Sequence, residues 1–148
     1  MGPPRKSRHF GVYGLLWQGN HVVTVLKSRG PYKGLLDLPG GSPEGAETPE
    51  QAVVRELREE CGASVTWIGP WRRFCLHISR SSDGTPLDFQ HSGLIADVCV
   101  SGPLVRVRGV EDVADVVLMD PRRTEEGAMS ALLRFALQPG RLRCSKGR

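Results

Sequence analysis

The sequence predicts an α/β fold in which a mixed β-sheet lies between helical layers. Three observations predict it. Runs rich in β-branched, aromatic and aliphatic residues stand on both sides of one helix. That helix has both of its ends written in the sequence. A second apolar stripe at helical spacing closes the ordered part of the chain. Strands before and after a helix, with another helix to cover the other face, are the pattern of a layered α/β domain.

The elements follow in chain order. HFGVYGLLW and HVVTVLKS are strand-like and are separated by Gln18, Gly19 and Asn20, so they predict a hairpin. RGPYKG is a loop, and LLDL is a short apolar run that ends at Pro39. Thr48 is a good N-cap, Pro49 suits the first helical position and Gln51 completes a capping box. The helix is expected from about Pro49 to Cys61, ending at Gly62 in a left-handed C′ conformation. ASVTWIGPWRRFCLHIS and DFQHSGLIADVCV are expected strands around a turn at Ser82, Asp83, Gly84 and Thr85. DVVLMD is a further short strand before Pro121. EEGAMSALLRFALQ reads as a second helix, with Met129, Leu132, Leu133 and Ala136 on one stripe and Pro139-Gly140 ending it.

A chain of 148 residues fits one domain with a sizeable core. Its net charge of +4 is unevenly placed. Arg5, Lys6 and Arg8 stand in the first eight residues, and Arg141, Arg143, Lys146 and Arg148 in the last nine, with no acid in either stretch. Without these seven, 13 of the 20 basic groups face 16 acidic ones. The expected organisation is therefore a domain over residues 9–139 between basic tails at 1–8 and 140–148, the tails reading as solvated ends. The four cysteines form no C-x-x-C pair, which argues against a zinc ribbon or a disulfide framework and suits a reducing cytoplasm. No apolar run approaches the ~20 residues of a membrane-spanning helix. The oligomeric state stays open, a homodimer included.

The chemistry is concentrated in LPGGSPEGAETPEQAVVRELREECGA, where six glutamates fall within 17 residues. At about 100° per residue, Glu56, Glu59 and Glu60 share one side of the helix. Val53, Val54, Leu57 and Cys61 cover the core side, with Arg55 and Arg58 on the remaining surface. Like charges at these spacings repel by ~0.2–0.5 kcal/mol per pair. An isolated acidic helix face is usually a solvated one. Here Gly40 and Gly41 precede it in what reads as a flexible loop, able to fold Glu44, Glu47 and a glycine carbonyl towards the acids. Clustered oxygens of this kind are hard ligands, suited to Mg²⁺ or Mn²⁺.

These residues resemble the signature of the Nudix family, G-x5-E-x7-R-E-U-x-E-E-x-G-U with U a bulky aliphatic. The matching residues are Gly41, Glu47, Arg55, Glu56, Leu57, Glu59, Glu60 and Gly62. Only Ala63 departs, being small where an aliphatic is preferred. The stretch ETPEQAVVREL is similar to that of MutT-type members.

The resemblance implies a Nudix α/β/α sandwich that cleaves nucleoside diphosphates linked to another group, with Mg²⁺ or Mn²⁺ and a water nucleophile. Carried over by position, Glu59, Glu60 and the Gly40 carbonyl become metal ligands. Glu56 becomes a further ligand or the general base, and Arg55 orients a catalytic glutamate. Glu47 braces the loop or touches metal through water, with Gly41 and Gly62 as structural positions. EDVADVVLM resembles the later segment from which MutT-like members add a glutamate, here Glu111. A (deoxy)nucleoside triphosphate, cleaved to the monophosphate and pyrophosphate, is the first expected substrate. ADP-ribose or another nucleotide sugar is the alternative. A non-catalytic nucleotide-binding module is the reading of another class, and it would be expected to have lost acids that this chain keeps. MutT-type members read oxidised guanine with an asparagine near the last helix, whereas the one asparagine here is Asn20.

Outside the signature, Lys27, Arg29 and Lys33 cluster before LPGG and are candidate phosphate contacts. Trp17, Tyr32, Trp67 and Trp71 are candidates for stacking on a base. His77 and His91 stand nearly opposite each other across the Asp83-Gly84 turn, but a zinc site needs two more ligands. A nucleic-acid partner on the basic tails would leave the acidic helix unexplained.

Overall fold

The computed structural model describes residues 2–138. The predicted C-terminal tail at 140–148 lies outside them. Among the described residues nine strands and two helices follow one another: β1 (Lys6–Leu15), β2 (Trp17–Gln18), β3 (His21–Lys27), β4 (Leu36–Asp37), β5 (Gly40–Gly41), α1 (Pro49–Cys61), β6 (Ser64–Ile68), β7 (Arg72–Arg80), β8 (Pro86–Ser101), β9 (Val113–Met119) and α2 (Ala131–Ala136). β5, β1, β8 and β6 lie side by side with β7 also on β8, and β2, β3, β4 and β9 form a second sheet around β3.

The sheet is mixed because β1 runs parallel to β8, from Lys6 opposite Asp88 to Leu15 opposite Asp97, while the other strand-to-strand ladders among the described residues are antiparallel. β6 and β7 both run antiparallel along β8, with register shifts between Val65 and Trp67 and between Ile78 and Arg80; between the two strands the Gly69 N–H bonds the Asp97 carbonyl. The end of β1 is buried on both faces. Val12 and Leu16 enter the core under α1, and Tyr13 and Leu15 the core under α2. Two-sided burial is what a strand between two layers requires.

The predicted first hairpin is real but shorter than expected. Only Trp17 and Gln18 pair across the turn, with Val22 and His21. The ten residues before them join the other sheet, because their apolar residues need cover on both faces and β8 with its layers supplies it. Lys6, Ser7 and Arg8, read as tail, are already strand and pair with β8.

α1 has the predicted bounds and ends. Thr48 Oγ1 accepts from Gln51 N–H at 3.1 Å, and Gln51 Oε1 accepts from Thr48 N–H at 2.9 Å. Gly62 has φ +63° and its N–H donates to the Arg58 carbonyl at 3.0 Å. Such a cap stabilises by ~1 kcal/mol. Burial of side chains such as Val53 and Leu57 contributes ~1.5–3 kcal/mol each, so packing outweighs capping.

The second helix is shorter than predicted. A single 3₁₀ turn spans Glu126–Ala128, Met129 is extended, and α2 begins only after Ser130, whose Oγ accepts from Leu133 N–H. A serine that caps well competes with continuation of the helix through it. The predicted stripe nevertheless packs as one unit, with Met129, Leu132, Leu133 and Ala136 all in the core beneath α2. Among the described cysteines, Cys61 is a buried and Cys75 an exposed free thiol.

Candidate functional site

The acids of α1 are not a solvated face. Glu56 and Glu60 are buried, at 4% and 1% exposure, and Glu59 stands at the surface. The reason is the double glycine. Gly40 and Gly41 were read as a flexible loop, but they form β5, paired with Tyr13 and Val12 of β1. A Cβ on Gly40, at φ +147°, would lie 2.2 Å from the Val12 carbonyl oxygen. A Cβ on Gly41 would lie 2.9 Å from Glu56 Oε1. The glycines let two backbones and a carboxylate close on one another, which is close approach and not mobility.

Burial raises the Glu60 carboxyl to about 9, against the lowering effect of the Gly40 N–H that donates to its Oε1 at 2.8 Å. Burial likewise raises Glu56 to about 7, although Arg55 holds it down. The arrangement resists negative charge unless a cation shares it.

Arg55 was expected on another face. Its long side chain instead reaches over the acids. Nε and Nη2 donate to both oxygens of Glu47, at 2.8 and 2.9 Å. Nη1 donates to Glu56 Oε1 at 2.9 Å and to Glu59 Oε2 at 3.3 Å. Nη2 also reaches the Ser42 carbonyl. Glu47 is held at about 2 by this guanidinium and also accepts the Glu44 N–H. Glu47 is thereby committed to bracing the loop between β5 and α1.

The other half of the site comes from the segment before β9. Glu111 has φ +52°, a left-handed backbone unusual for a side chain of this size. Oxygens of Glu56, Glu59 and Glu111 lie within 4.8 Å of one another, and so do oxygens of Glu60, Glu111 and Asp112. Glu56 Oε2 is buried with no hydrogen-bond partner among the described residues. A desolvated, unpartnered carboxylate oxygen among other carboxylates fits a hard divalent cation. Asp112, missed in the sequence, also pairs with Lys27. Its place depends on the β3–β9 pairing, which no local pattern announces.

Next to the acids lies a cavity of about 420 Å³ whose lining includes Gly40, Gly41, Arg55, Glu56 and Glu111. A second cavity of about 290 Å³ is lined by Tyr13, Tyr32, Asp37, Phe89 and His91, among others. The two share His9, Tyr13, Lys27, Arg29 and Asp112. They form one cleft with an acidic lobe, a cationic waist and an aromatic lobe. Of the three predicted phosphate contacts, Lys27 and Arg29 reach the waist, and Lys33 lines neither cavity.

Of the four stacking candidates, Tyr32 alone lines these cavities. Trp17 belongs to the core, and Trp71 packs by α1 with its indole N–H on Glu50. His77 and His91 are not brought together. Leu76 stands opposite His91, one residue out of step, so the two histidines are sent to opposite faces. His77 is exposed and bonds Asp88, and His91 is buried between two phenols.

The α/β architecture and the carboxylates that α1 and the segment before β9 bring together define a Nudix domain. The sequence model of the NUDIX domain matches residues 7–124. The chain belongs to the Nudix hydrolase family. Among solved structures, a MutT NUDIX hydrolase from Burkholderia pseudomallei matches 87% of this chain and 95% of its own with a TM-score of 0.65, at 19% identity. An ADP-ribose pyrophosphatase from Methanocaldococcus jannaschii is 43% identical over 51 residues, 34% of this chain and 30% of that protein. The nucleoside triphosphatase NudI of Enterobacter sp. (strain 638) is 38% identical over 83 residues, 54% of this chain and 58% of that protein. The chain thus spans between about a third and three fifths of these curated relatives.

Proposed function

We propose that the protein hydrolyses the diphosphate linkage of a nucleoside diphosphate joined to a further group. The first substrate class is a (deoxy)nucleoside triphosphate, cleaved to the monophosphate and pyrophosphate with Mg²⁺ or Mn²⁺. The observation that carries this reading is the convergence of the Glu56, Glu59 and Glu111 carboxylates, one of them with an oxygen that has no hydrogen-bond partner among the described residues, beside a cleft with a cationic waist. A binding module that lacked chemistry would have no need to bury Glu56 and Glu60 at this cost.

Glu56, Glu59, Glu60 and Glu111 would hold the cation, with the Gly40 carbonyl beside them. A bound divalent cation supplies charge neutralisation at the phosphoryl oxygens and acidifies water. Lys27 and Arg29 bind the phosphates and draw the linkage to the acids. Arg55 holds Glu56 by Oε1, which leaves Oε2 free in the site. Burial raises Glu56 to about 7 in the metal-free protein; a bound cation would hold it ionised, as a further ligand or as the base that takes a proton from water.

A second reading, a nucleotide-sugar diphosphatase, draws on the relative named ADP-ribose pyrophosphatase and on the room in the aromatic lobe. Nucleoside triphosphates, ADP-ribose, dinucleotides and coenzyme A, assayed with Mg²⁺ or Mn²⁺ by phosphate and pyrophosphate release, separate the readings. Turnover lost in Glu60→Gln with the fold retained is the expected result. No turnover of any of them would replace the hydrolase by a nucleotide-binding module. Unchanged activity in Glu60→Gln would overturn the site.

A further inference from the structure

The hydrolysis makes no use of the polar groups buried around the aromatic lobe. Asp37 is 2% exposed and lines that cavity. It is held from behind. Ser130 Oγ donates to Asp37 Oδ1 at 2.6 Å while accepting from Leu133 N–H at 3.0 Å. Among the described residues Asp37 forms no ion pair, and burial raises its carboxyl above the usual range. A carboxylate offers about four acceptor positions, so Ser130 leaves acceptor capacity over, and N–H donors from a ligand would favour the ionised form against that burial.

Opposite chemistry stands beside it. His91 lies between two phenols, with Nε2 2.8 Å from Tyr13 Oη and Nδ1 2.8 Å from Tyr32 Oη. Burial lowers His91 to about 3, so the ring is neutral. A neutral imidazole donates from one nitrogen and accepts at the other. One phenol therefore gives its proton to His91, and the other accepts and keeps its own proton. Either tautomer leaves one phenolic O–H to donate elsewhere. Phe89 stacks on the same imidazole, with centroids 5.7 Å apart. The lobe thus combines flat walls, a fixed acceptor and one adaptable donor.

We propose that Asp37 is the specificity-determining residue of this cleft: its carboxylate accepts N–H groups from the substrate's nucleobase, while the Tyr13–His91–Tyr32 chain donates one phenolic proton to an acceptor on the same base edge. The proposal rests on the cleft being a nucleotide site. A carboxylate also repels an anionic group, which keeps the phosphates at the Lys27 and Arg29 waist. Bases with an exocyclic amino group gain a donor towards Asp37, and their oxo counterparts present a further acceptor to it. An unpaired acceptor facing a carboxylate in a buried site is costly.

The test compares ATP, GTP and CTP with ITP and UTP, as kcat/KM with Mg²⁺, and the matching monophosphates as Kd by calorimetry. The best amino-bearing nucleotide is expected to exceed the better oxo nucleotide by at least about tenfold. Asp37→Asn keeps an oxygen for Ser130 and turns an N–H₂ group to the lobe, so the ratio should fall to about one or reverse. Ser130→Ala removes the support and should lower the melting temperature with the ratio kept. Equal ratios in wild type and Asp37→Asn, or a wild-type ratio near one, overturn the proposal while hydrolysis stands. If no triphosphate is turned over, the triphosphatase reading fails and the monophosphate Kd ratios still decide the role of Asp37.

Discussion

Arg55 donates to one oxygen of Glu56 at 2.9 Å, and the other oxygen of that carboxylate is buried with no hydrogen-bond partner among the described residues. One guanidinium thus fixes the orientation of a carboxylate without satisfying it. It does so while gripping both oxygens of Glu47, so the loop after β5 and the acids of α1 are set by a single side chain.

Arg55→Lys should separate charge from geometry. Lysine keeps the positive charge but cannot grip Glu47 with two parallel bonds and reach Glu56 as well. Groups that orient metal-site ligands are worth ~10–100-fold. The expected loss is of that size in kcat, with KM for nucleotide little changed, measured by steady-state kinetics.

Glu60→Gln should divide stability from function. Glutamine keeps an acceptor for the Gly40 N–H and removes a carboxyl that burial raises to about 9. The metal-free variant should melt no lower than wild type at pH 8, and it should lose most of the stabilisation by Mg²⁺ and at least about 100-fold in kcat. Paired thermal melts with and without Mg²⁺ check this.

The pH dependence of the metal-free protein has a defined sign. Glu60 is raised to about 9 and Glu56 to about 7 from an ordinary 4.5. Between pH 4.5 and 9 the folded chain keeps protons that the unfolded chain has lost. The contribution of these groups is present below about 4.5 and is lost as pH rises through 7 and then 9. Metal binding must release the same protons. Mg²⁺ should therefore raise the melting temperature more at pH 8.5 than at pH 6, with proton release visible in calorimetry in two buffers of different ionisation enthalpy.

Gly40→Ala should damage the fold, and Gly45→Ala should serve as its control. At Gly40 a Cβ meets the Val12 carbonyl oxygen at 2.2 Å, and at Gly45, φ +51°, it meets nothing within 4 Å. Gly45→Ala carries only the backbone strain, ~1 kcal/mol. Gly40→Ala adds loss of the β1–β5 pairing and should cost at least ~2–3 kcal/mol in denaturant unfolding.

What could be read without coordinates was local. The capping box at Thr48 and Gln51, the stop at Gly62 and the register of the acids depend on neighbours three or four residues away, and all of them hold in the structure. The same proximity made the Nudix signature legible, since its residues from Gly41 to Gly62 are nearly contiguous. The second helix failed locally, because Ser130 caps where the apolar stripe suggested continuation. The mobility assigned to Gly40 and Gly41 failed for a different reason. A glycine required by close approach and a glycine required by flexibility look alike in a sequence, and only the position of β1 distinguishes them.

The chain alone therefore specified its family, its first helix and the acids along that helix, because each rests on short-range spacing. Tertiary pairing decided the rest. The parallel run of β1 along β8 places Tyr13 against His91, β9 on β3 brings Asp112 to Lys27, and the 93-residue span from Asp37 to Ser130 is closed by one hydrogen bond. Such contacts carry no local signature, since their energy comes from burial and pairing between segments that only the fold brings together.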